Sequence, residues 1–169
     1  ALDQITLGDG NHEVYGDGVL VGMTVNVDPG GAADIIVVGA GNSRLFGHLG
    51  NDDITAGDGN HFILGAQGDD TITVGSGDSV IRGNGGSDTI TVAGGNNVVI
   101  GDGEISDGTL VEERSIARNL DLDDSDDGAD IIITGPGNDE IRTYDGDDVI
   151  NSGGGNDTIV AGDGFDVIH

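Results

Sequence analysis

Aspartates recur in this sequence at a spacing that would bring their carboxylates together. One series repeats every 18 residues, apart from two interruptions, and an isoleucine follows each member two positions later. The series is Asp3, Asp34, Asp52, Asp70, Asp88, Asp130, Asp148 and Asp166. If the segments that carry these residues stack as neighbouring strands do, successive carboxylates lie about 4.8 Å apart. Bare carboxylates repel each other at that distance, so we expect cations between them.

The ligands that these segments offer indicate which cation to expect. The chain has no Cys and only 4 His, so carboxylates and backbone carbonyls are the available donors. Hard oxygen ligands suit Ca²⁺, which takes about six to eight of them in a flexible geometry. Mg²⁺ demands a stricter octahedron and keeps part of its water. We therefore predict several Ca²⁺ ions along this series.

A second series of turns lies nine residues out of step with the first and is mostly uncharged. Its members are His12, Ser43, His61, Ser79, Asn97, Asp139 and Asp157. Here we expect at most one or two ions, beside Asp139 and Asp157, with asparagine side chains bonding to the turn backbone elsewhere. The turn of Ser43 separates His12 from His61, which puts them too far apart to share one transition metal. We interpret both histidines as solvated turn residues.

A nine-residue repeat positions both series. Each repeat is a glycine-rich turn followed by a short strand, numbered here so that the two series above stand at position 6. All fifteen residues at position 8 are aliphatic: Ile5, Val14, Ile36, Leu45, Ile54, Ile63, Ile72, Ile81, Ile90, Val99, Ile132, Ile141, Ile150, Ile159 and Ile168. Alternation around position 8 indicates strands, and frequent glycine argues against helix. Two repeats make one coil, so we predict a single all-β domain over residues 1–169, a parallel β-roll or β-solenoid of 18-residue coils.

Two insertions interrupt the repeat, at residues 19–32 and 104–127. Both depart from a turn of the aspartate series and rejoin in register, so we interpret them as excursions rather than domain boundaries. Residues 19–27 have strand-like character and are expected to form a hairpin arm. The acidic run at residues 120–127 is either a solvated linker or a source of further cation ligands.

The composition excludes several classes of function. The formal net charge is −27, from 32 acidic and 5 basic residues, which rules out nucleic acid as a partner and disfavours an anionic membrane surface. No apolar run approaches the roughly 20 residues of a membrane span, so we predict no membrane insertion. No Ser/His/Asp or Cys/His constellation has a plausible scaffold, and we do not expect an enzyme. Self-repulsion at this charge density opposes a compact fold unless cations neutralise it.

Residues 47–55, 65–73 and 83–91 share glycines, an aspartate and an aliphatic residue at fixed positions. They resemble the Gly-Gly-x-Gly-x-Asp-x-U-x nonapeptide of RTX proteins, in which U is aliphatic. The resemblance covers nearly all of the chain outside the two insertions. It implies a parallel β-roll with Ca²⁺ held between turns, type I secretion, and folding on contact with extracellular calcium.

The resemblance also implies which residues are ligands, because the aspartate at position 6 of that motif bridges the ions of adjacent coils. Carried over to this chain, it points first to Asp52, Asp70, Asp88, Asp148 and Asp166. Asp34 and Asp130 follow interrupted turns and match less directly. In the second series only Asp139 and Asp157 match the motif.

The outward residues of the two sets of strands differ. Strands that follow the aspartate series present Thr55, Thr71, Thr73, Thr89 and Thr91. The opposite strands present Arg44, Phe46, Phe62, Leu64, Val80, Arg82, Val98 and Ile100. This second face is unusually apolar, so it is either covered by the arm of residues 19–27 or self-associates through Phe46, Phe62, Leu64, Val98 and Ile100. The ends of the solenoid offer another route to self-association.

These features favour a structural calcium-binding repeat module of a large secreted or cell-surface bacterial protein, such as an adhesin, an extender or a filamentous matrix fibre. The module would fold when it binds Ca²⁺. The alternative is a secretion or carrier module of an extracellular enzyme or toxin. A third alternative is an ice-binding surface built on the threonine pairs, although threonine is also a common outward residue of strands.

Overall fold

The computed structural model describes residues 4–8, 10, 12–15, 31–101 and 128–169. These ranges consist of strands and turns, and none of their segments is a helix that is long and apolar enough to cross a membrane. Their strands are β1 (Gln4–Leu7), β2 (Glu13–Tyr15), β3 (Ile35–Val38), β4 (Arg44–Leu49), β5 (Asp53–Ala56), β6 (Phe62–Gln67), β7 (Thr71–Ser76), β8 (Val80–Gly85), β9 (Thr89–Gly94), β10 (Val98–Ile100), β11 (Ile131–Ile133), β12 (Glu140–Arg142), β13 (Val149–Asn151), β14 (Thr158–Val160) and β15 (Val167–Ile168).

The strands of the described ranges form two parallel sheets. The odd-numbered strands make one sheet in the order β1-β3-β5-β7-β9-β11-β13-β15. The even-numbered strands make the other, from β2 at one end to β14 at the other. Because successive strands alternate between the sheets, each pair of strands closes one coil. The predicted parallel β-solenoid is confirmed.

The interior between the sheets is built from the aliphatic residues at position 8. Ile36, Leu45 and Ile54 have no exposed surface, and the same holds at this position in each later described coil as far as Ile150. Each residue pairs with its equivalent in the next coil, as Ile54 does with Ile72. Burying such a side chain is worth about 1.5–3 kcal/mol, so the roll gains stability one coil at a time.

The coils stack in a constant register. Paired residues are 18 positions apart within most of the roll, and the separation rises to 31 and to 42 across the two insertions. The chain therefore resumes in register after each excursion, as predicted. Asp3, the arm expected at residues 19–27 and the excursion at 104–127, with its acidic run at 120–127, lie outside the described residues.

The outer face of the even-numbered sheet is apolar, as the sequence predicts, and much of it is shielded from solvent. Phe46, Leu64 and Ile100 are only 2%, 5% and 7% exposed. Phe46 packs with Leu64 in a second apolar cluster, and the ring centroids of Phe46 and Phe62 are 5.8 Å apart. Phe62 and Val98 are half-buried. Self-association through this face stays a prediction, with less surface to support it.

The outer face of the odd-numbered sheet carries the predicted threonines. Thr71 and Thr73 on β7 are exposed. Their register partners on β9 are Thr89 and Thr91, which are partly exposed. Two neighbouring strands therefore present matched pairs of hydroxyl groups.

Candidate calcium-binding edge

The turns that precede the odd-numbered strands form one edge of the roll, which we call the Asp edge. The turns that precede the even-numbered strands form the second edge. The Asp edge carries Asp34, Asp52, Asp70, Asp88, Asp130, Asp148 and Asp166 at position 6, and the second edge carries Asp139 and Asp157. All of these side chains are buried except those of Asp157 and Asp166, which are half-buried. The structure thus brings the predicted site residues together in two ladders.

From Asp52 to Asp166, one oxygen of each Asp-edge carboxylate accepts a hydrogen bond from the preceding coil. The backbone N–H of Asp52 donates to Oδ1 of Asp70 over 2.8 Å, and the N–H of Asp70 donates to Oδ1 of Asp88 over 2.9 Å. The same bond links every pair of successive coils from Asp34 to Asp166, with N···O distances of 2.7–3.2 Å. Position 6 therefore acts as a hydrogen-bond acceptor between coils.

The other oxygen of these carboxylates has no such role. Oδ2 of Asp70, Asp88 and Asp148 is shielded from solvent and accepts no hydrogen bond from the described residues. The same holds for Oδ2 of Asp139 on the second edge. A buried carboxylate oxygen without a donor is costly, so these atoms need a counter-charge or a proton.

Glycine at position 1 makes room for this second oxygen. A Cβ atom at Gly65 would overlap Oδ2 of Asp70 and lie 3.0 Å from the carbonyl oxygen of Gly83. The same overlap with the carboxylate that follows in the turn occurs at Gly47, Gly83 and Gly101, beside Asp52, Asp88 and Asp130. We call each such pair of glycine and aspartate a glycine cradle. At Gly47 and Gly65 a carbonyl oxygen of the next coil also lies close to the same place.

Burial raises the pKa of two carboxyls of the Asp edge. Burial, reinforced by the charges of Asp88, Asp52 and Asp69, raises the pKa of Asp70 to about 9. Burial, reinforced by the charge of Asp69, raises the pKa of Asp88 to about 7. Without a cation these carboxyls therefore hold protons far above their ordinary range. A cation beside them would favour the charged form instead.

The donor set of the glycine cradles fits Ca²⁺. In the described ranges no three His, Cys, Asp or Glu side chains come together, so an ion would take most of its ligands from turn carbonyls. Carboxylate and carbonyl oxygens are the hard ligands that Ca²⁺ accepts in flexible geometry. The residues that would hold it are Asp52, Asp70, Asp88 and Asp130. The ion would supply the positive charge that the buried Oδ2 atoms lack.

The coils of the second edge are joined by the same kind of hydrogen bond, with neutral side chains as acceptors. The N–H of Ser43 donates to Nδ1 of His61 over 3.3 Å, and the N–H of His61 donates to Oγ of Ser79 over 3.1 Å. The N–H of Ser79 donates to Oδ1 of Asn97 over 3.0 Å. Side chains at position 5, mostly asparagine, add the expected second ladder with N···O distances of 2.8–2.9 Å. Linking two coils thus requires an acceptor at position 6 but no charge.

Position 1 separates the two edges as sharply as position 6 does. On the second edge it holds Val38, Ala56, Val74 and Val92, which are 2–3% exposed and belong to the main core. Aliphatic side chains thus fill the place that glycine leaves open on the Asp edge. No glycine cradle exists in these second-edge turns.

The backbone of the two turns differs at position 2. Wherever position 2 of the Asp edge is described between Gly47 and Asp166 it is left-handed, with φ of 68–96° at His48, Ala66, Asn84, Tyr144 and Gly162. Among the described turns of the second edge, only Gly153 at this position is left-handed. The turns of the two edges therefore differ in backbone conformation as well as in their ladders of side chains.

The edges become more alike toward the C-terminal coils. Thr134 stands at position 1 before Asp139, and Thr143 stands at position 1 before Asp148. Both threonines are buried, and their hydroxyl groups donate to carbonyl oxygens of the next coil over 2.9 and 3.0 Å. Neither Asp148 nor Asp166 has a glycine at position 1. These two aspartates therefore differ from the ligands that the resemblance groups them with.

The structure corrects the interpretation of His61 as a solvated turn residue. Its side chain is 3% exposed because the ring takes the place of the position-6 acceptor and also bonds to the carbonyl oxygen of Gly57 over 3.0 Å. His12 is half-buried, with Nε2 2.8 Å from the carbonyl oxygen of Gly8. The intervening coil of Ser43 keeps the two rings apart, as expected.

Sorting the turns by position 6 alone leaves the position-1 glycines out of the site. The signal is nevertheless present in the sequence. Position 1 is glycine at residues 47, 65, 83 and 101 of the Asp edge and aliphatic at residues 38, 56, 74 and 92 of the second edge. The left-handed backbone at position 2 has no comparable signal, because the residues there share no chemical type.

Comparison with known families agrees with this geometry. The model of the RTX calcium-binding nonapeptide repeat matches the chain in four copies, at residues 28–60, 64–99, 124–159 and 152–169. These copies together span well over half of the 169 residues. A search of curated proteins found no match. On the strength of its repeats, the chain belongs to the family of RTX calcium-binding nonapeptide repeat proteins.

Proposed function

We propose that this chain is a structural module that Ca²⁺ ions load and stiffen along the Asp edge. Its membership of a calcium-binding repeat family supports calcium as the ligand. In this proposal the Asp-edge ligands are Asp34, Asp52, Asp70, Asp88, Asp130, Asp148 and Asp166. The second edge binds at most one or two ions, beside Asp139 and Asp157.

The observation that carries the proposal is the glycine cradle. Its carboxylate already spends Oδ1 on the backbone N–H of the previous coil, as Asp70 does toward Asp52. In the cradle of Asp70, Oδ2 is buried without a hydrogen-bond donor among the described residues, and it lies against Gly65, where the carbonyl oxygen of Gly83 is also close. A hydrogen-bond ladder alone would not need this charge, since serine and asparagine serve on the second edge.

Calcium would then contribute directly to folding. Every ion that binds removes two negative charges from a chain of net charge −27. Because the unfolded chain has no preformed site, the binding free energy of the ions appears as folding free energy. A stiff roll in calcium and a loosened chain in its absence are the expected consequences.

Asp70→Asn tests the proposal because asparagine keeps the Oδ1 acceptor and removes the charge, as Asn97 does naturally. We expect it to lower the free energy of unfolding by about 3 kcal/mol in saturating calcium, since it removes one partner of a buried charge pair. In a chelator we expect it to raise that free energy, because asparagine avoids the cost of keeping a buried carboxyl protonated. Denaturant unfolding measures both values, and calorimetric titration measures the loss of bound calcium.

Asp53→Asn is the matched control. Asp53 is the next residue along the chain, carries the same charge and is exposed on the outer face of β5. We expect it to change the free energy of unfolding by less than about 0.5 kcal/mol in either condition. An Asp70→Asn variant that behaves like this control, with unchanged calcium binding, would contradict the proposal.

The setting that we propose for the module is a large secreted or cell-surface bacterial protein, such as an adhesin, an extender or a matrix fibre. Support comes from the family, whose repeats occur in secreted bacterial proteins. The alternative remains a secretion or carrier module of an extracellular enzyme or toxin. The sequence of the whole gene separates them, since a catalytic domain favours the carrier and a long tandem array of repeats favours the fibre.

A third function is suggested by the threonine pairs of the odd-numbered sheet. Thr71 and Thr73 lie in register with Thr89 and Thr91 on a parallel sheet, which gives a regular array of hydroxyl groups. Among the described strands, only β7 and β9 carry both threonines of the pair, so the array is small. Thermal hysteresis of the calcium-loaded protein measures ice binding, and its absence would remove this candidate.

A further inference from the structure

His61 is a buried histidine that the calcium proposal does not use. It stands at position 6 of the second edge and is 3% exposed. Both ring nitrogens are engaged: Nδ1 accepts the backbone N–H of Ser43 over 3.3 Å, and Nε2 lies 3.0 Å from the carbonyl oxygen of Gly57. Since a carbonyl only accepts, the proton of the neutral ring belongs on Nε2. The ring thus joins two coils in one tautomer.

Protonation of this ring would place an N–H donor on Nδ1 against the backbone N–H donor of Ser43. The imidazolium carries a proton on both nitrogens, so Nδ1 could no longer accept the N–H of Ser43. Ser43 is 1% exposed, so water cannot readily replace the lost acceptor. The bond that ties the Ser43 coil to the His61 coil would break while the bond from Nε2 to Gly57 survives.

We propose that His61 makes the second edge a proton-sensitive seam, which opens between the coils of Ser43 and His61 when the imidazole becomes protonated. The seam lies in the neutral part of the second edge, where no ion is proposed. It is therefore separate from calcium binding and opposite in sense to the Asp edge, where protons relieve repulsion. Acid and calcium loss would loosen different sides of the same roll.

Charged residues surround His61, but both hydrogen bonds of its ring are made with backbone groups. The charged residues of the turns and strands stacked on it are Asp58 in its own turn, Asp78 in the next turn, Arg44 at the start of β4 and Arg82 on β8, and His48 on β4 is also titratable. Asp58 and Asp78 each accept a backbone N–H of a neighbouring coil, over 2.8 Å in both cases. Burial lowers the pKa of His61, with the Gly57 bond acting in the opposite sense. Protonation is thus delayed to a pH below the ordinary pKa of 6.5.

The chain supplies its own matched comparison. Asn97 occupies position 6 two coils further on and accepts the N–H of Ser79 without a titratable group. His61→Asn therefore keeps an acceptor for Ser43 and removes the proton. His12→Asn changes a histidine in the same ladder that accepts no coil-to-coil hydrogen bond in the described residues. It serves as the control.

The test is a pH titration by NMR in saturating calcium, from about pH 7.5 to about pH 5. Ring ¹⁵N shifts follow His61, and hydrogen exchange corrected for intrinsic rate follows the amide of Ser43. We expect His61 to start as the Nε2–H tautomer and Ser43 protection to fall on the order of tenfold or more as it titrates. The amide of Asp52, which donates to Asp70, reports on the Asp edge and should keep its protection.

His61→Asn should abolish the acid loss of Ser43 protection, whereas His12→Asn should retain it. The proposal is overturned if His61 titrates while Ser43 stays protected, or if His61→Asn loses protection with acid as the wild type does. The wild-type titration decides the matter even if a variant fails to fold. A failure of calcium to bind would show instead at the amide of Asp52, which keeps the two proposals apart.

Discussion

On the Asp edge the N–H of Asp52 donates to the carboxylate of Asp70, whereas on the second edge the N–H of Ser43 donates to the imidazole of His61. The two bonds join the same pair of coils on opposite sides of one core. A neutral acceptor is sufficient on one side. The charge on the other side must therefore serve something that the hydrogen bond does not explain.

Two further differences accompany the charge. Position 1 is glycine beside Asp70 and valine beside Ser79, at Gly65 and Val74. Position 2 is left-handed at Ala66 on the Asp edge, but the corresponding residue of the Val74 turn is not. In the turns between Gly47 and Asn97, the aspartate, the position-1 glycine and the left-handed backbone thus occur together on the Asp edge and are absent together from the second edge. Such coupling is what a site for a cation between coils requires.

Gly65→Ala should have the largest effect on the free energy of unfolding, because its Cβ atom would overlap Oδ2 of Asp70. The φ of Gly65 is not left-handed, so the strain comes from lost space alone. We expect the free energy of unfolding in calcium to fall by about 3 kcal/mol. Chemical denaturation in saturating calcium measures the loss.

Gly154→Ala is the control for this change, since a Cβ there meets nothing within 4 Å. It should alter the free energy of unfolding by less than about 0.5 kcal/mol. Equal losses in the two variants would show that the space beside Asp70 has no special role.

Ser79→Asp tests whether a carboxylate alone converts the second edge. Ser79 is buried, and Val74 fills the space beside it, so we expect a loss of about 2 kcal/mol that calcium does not restore. Adding Val74→Gly to Ser79→Asp recreates a glycine cradle. The increase in unfolding free energy that calcium produces should then exceed that of either single variant, as unfolding curves with and without calcium will show.

A gain for Ser79→Asp alone equal to that of the double variant would contradict the role given to position 1. No gain for the double variant would mean that the left-handed backbone at position 2 is also required. The two variants together show whether the charge at position 6, the glycine at position 1 or the left-handed backbone at position 2 defines the site.

The stability of the calcium-free protein should fall as the pH rises, because of the buried carboxyls of the Asp edge. Burial raises the pKa of Asp70 to about 9 and that of Asp88 to about 7, from an ordinary value of 3.8. Their contribution to stability is therefore complete in acid below about pH 4 and is lost as the pH rises through about 7 and then about 9. We expect the folding equilibrium constant without calcium to be on the order of tenfold or more larger at pH 5 than at pH 8.

Circular dichroism of calcium-free protein during denaturation checks this pH dependence. A His61→Asn background removes the opposing effect of the second edge, where the lowered pKa of His61 costs stability as the pH falls below its ordinary 6.5. Calcium-free protein that is more stable at pH 8 than at pH 5 in that background would contradict the assigned burial of the carboxylates.

Tyr144→Gly should have the smallest effect. Tyr144 is an exposed aromatic residue with φ of 68°, and Gly162 takes the equivalent place in the next coil with φ of 88°. Removing a left-handed strain at the cost of backbone entropy should raise the free energy of unfolding by about 0.5 kcal/mol. The thermal midpoint in calcium measures this gain. A clear decrease would mean that the Tyr144 ring makes a stabilising contact.

The fold could be predicted from the sequence because position 8 of every repeat is an aliphatic residue. Ile72 and its equivalents are aliphatic in every nine residues, and period-two burial around them admits only strands. The ladder of Asp70 and Asp88 followed from the 18-residue spacing in the same way. Pattern and structure agree wherever the repeat decides the environment.

The remainder depends on contacts that a repeat does not encode. His61 is polar and lies in a turn, which suggested solvent, but the stacked coils on either side bury it. Phe46 points outward by its position in the strand and is nevertheless buried beside Leu64 in a second cluster. Left-handed residues such as Ala66 follow from the turn as a whole and not from their own type.

The most direct test of the difference between the edges is the location of the ions themselves. Crystals grown in calcium give an anomalous difference map in which Ca²⁺ is visible without assumptions about its ligands. We predict peaks beside the glycine cradles of Asp52, Asp70, Asp88 and Asp130, and none beside Ser43, His61 or Ser79. Peaks along the neutral part of the second edge, or an Asp edge without any, would contradict the account.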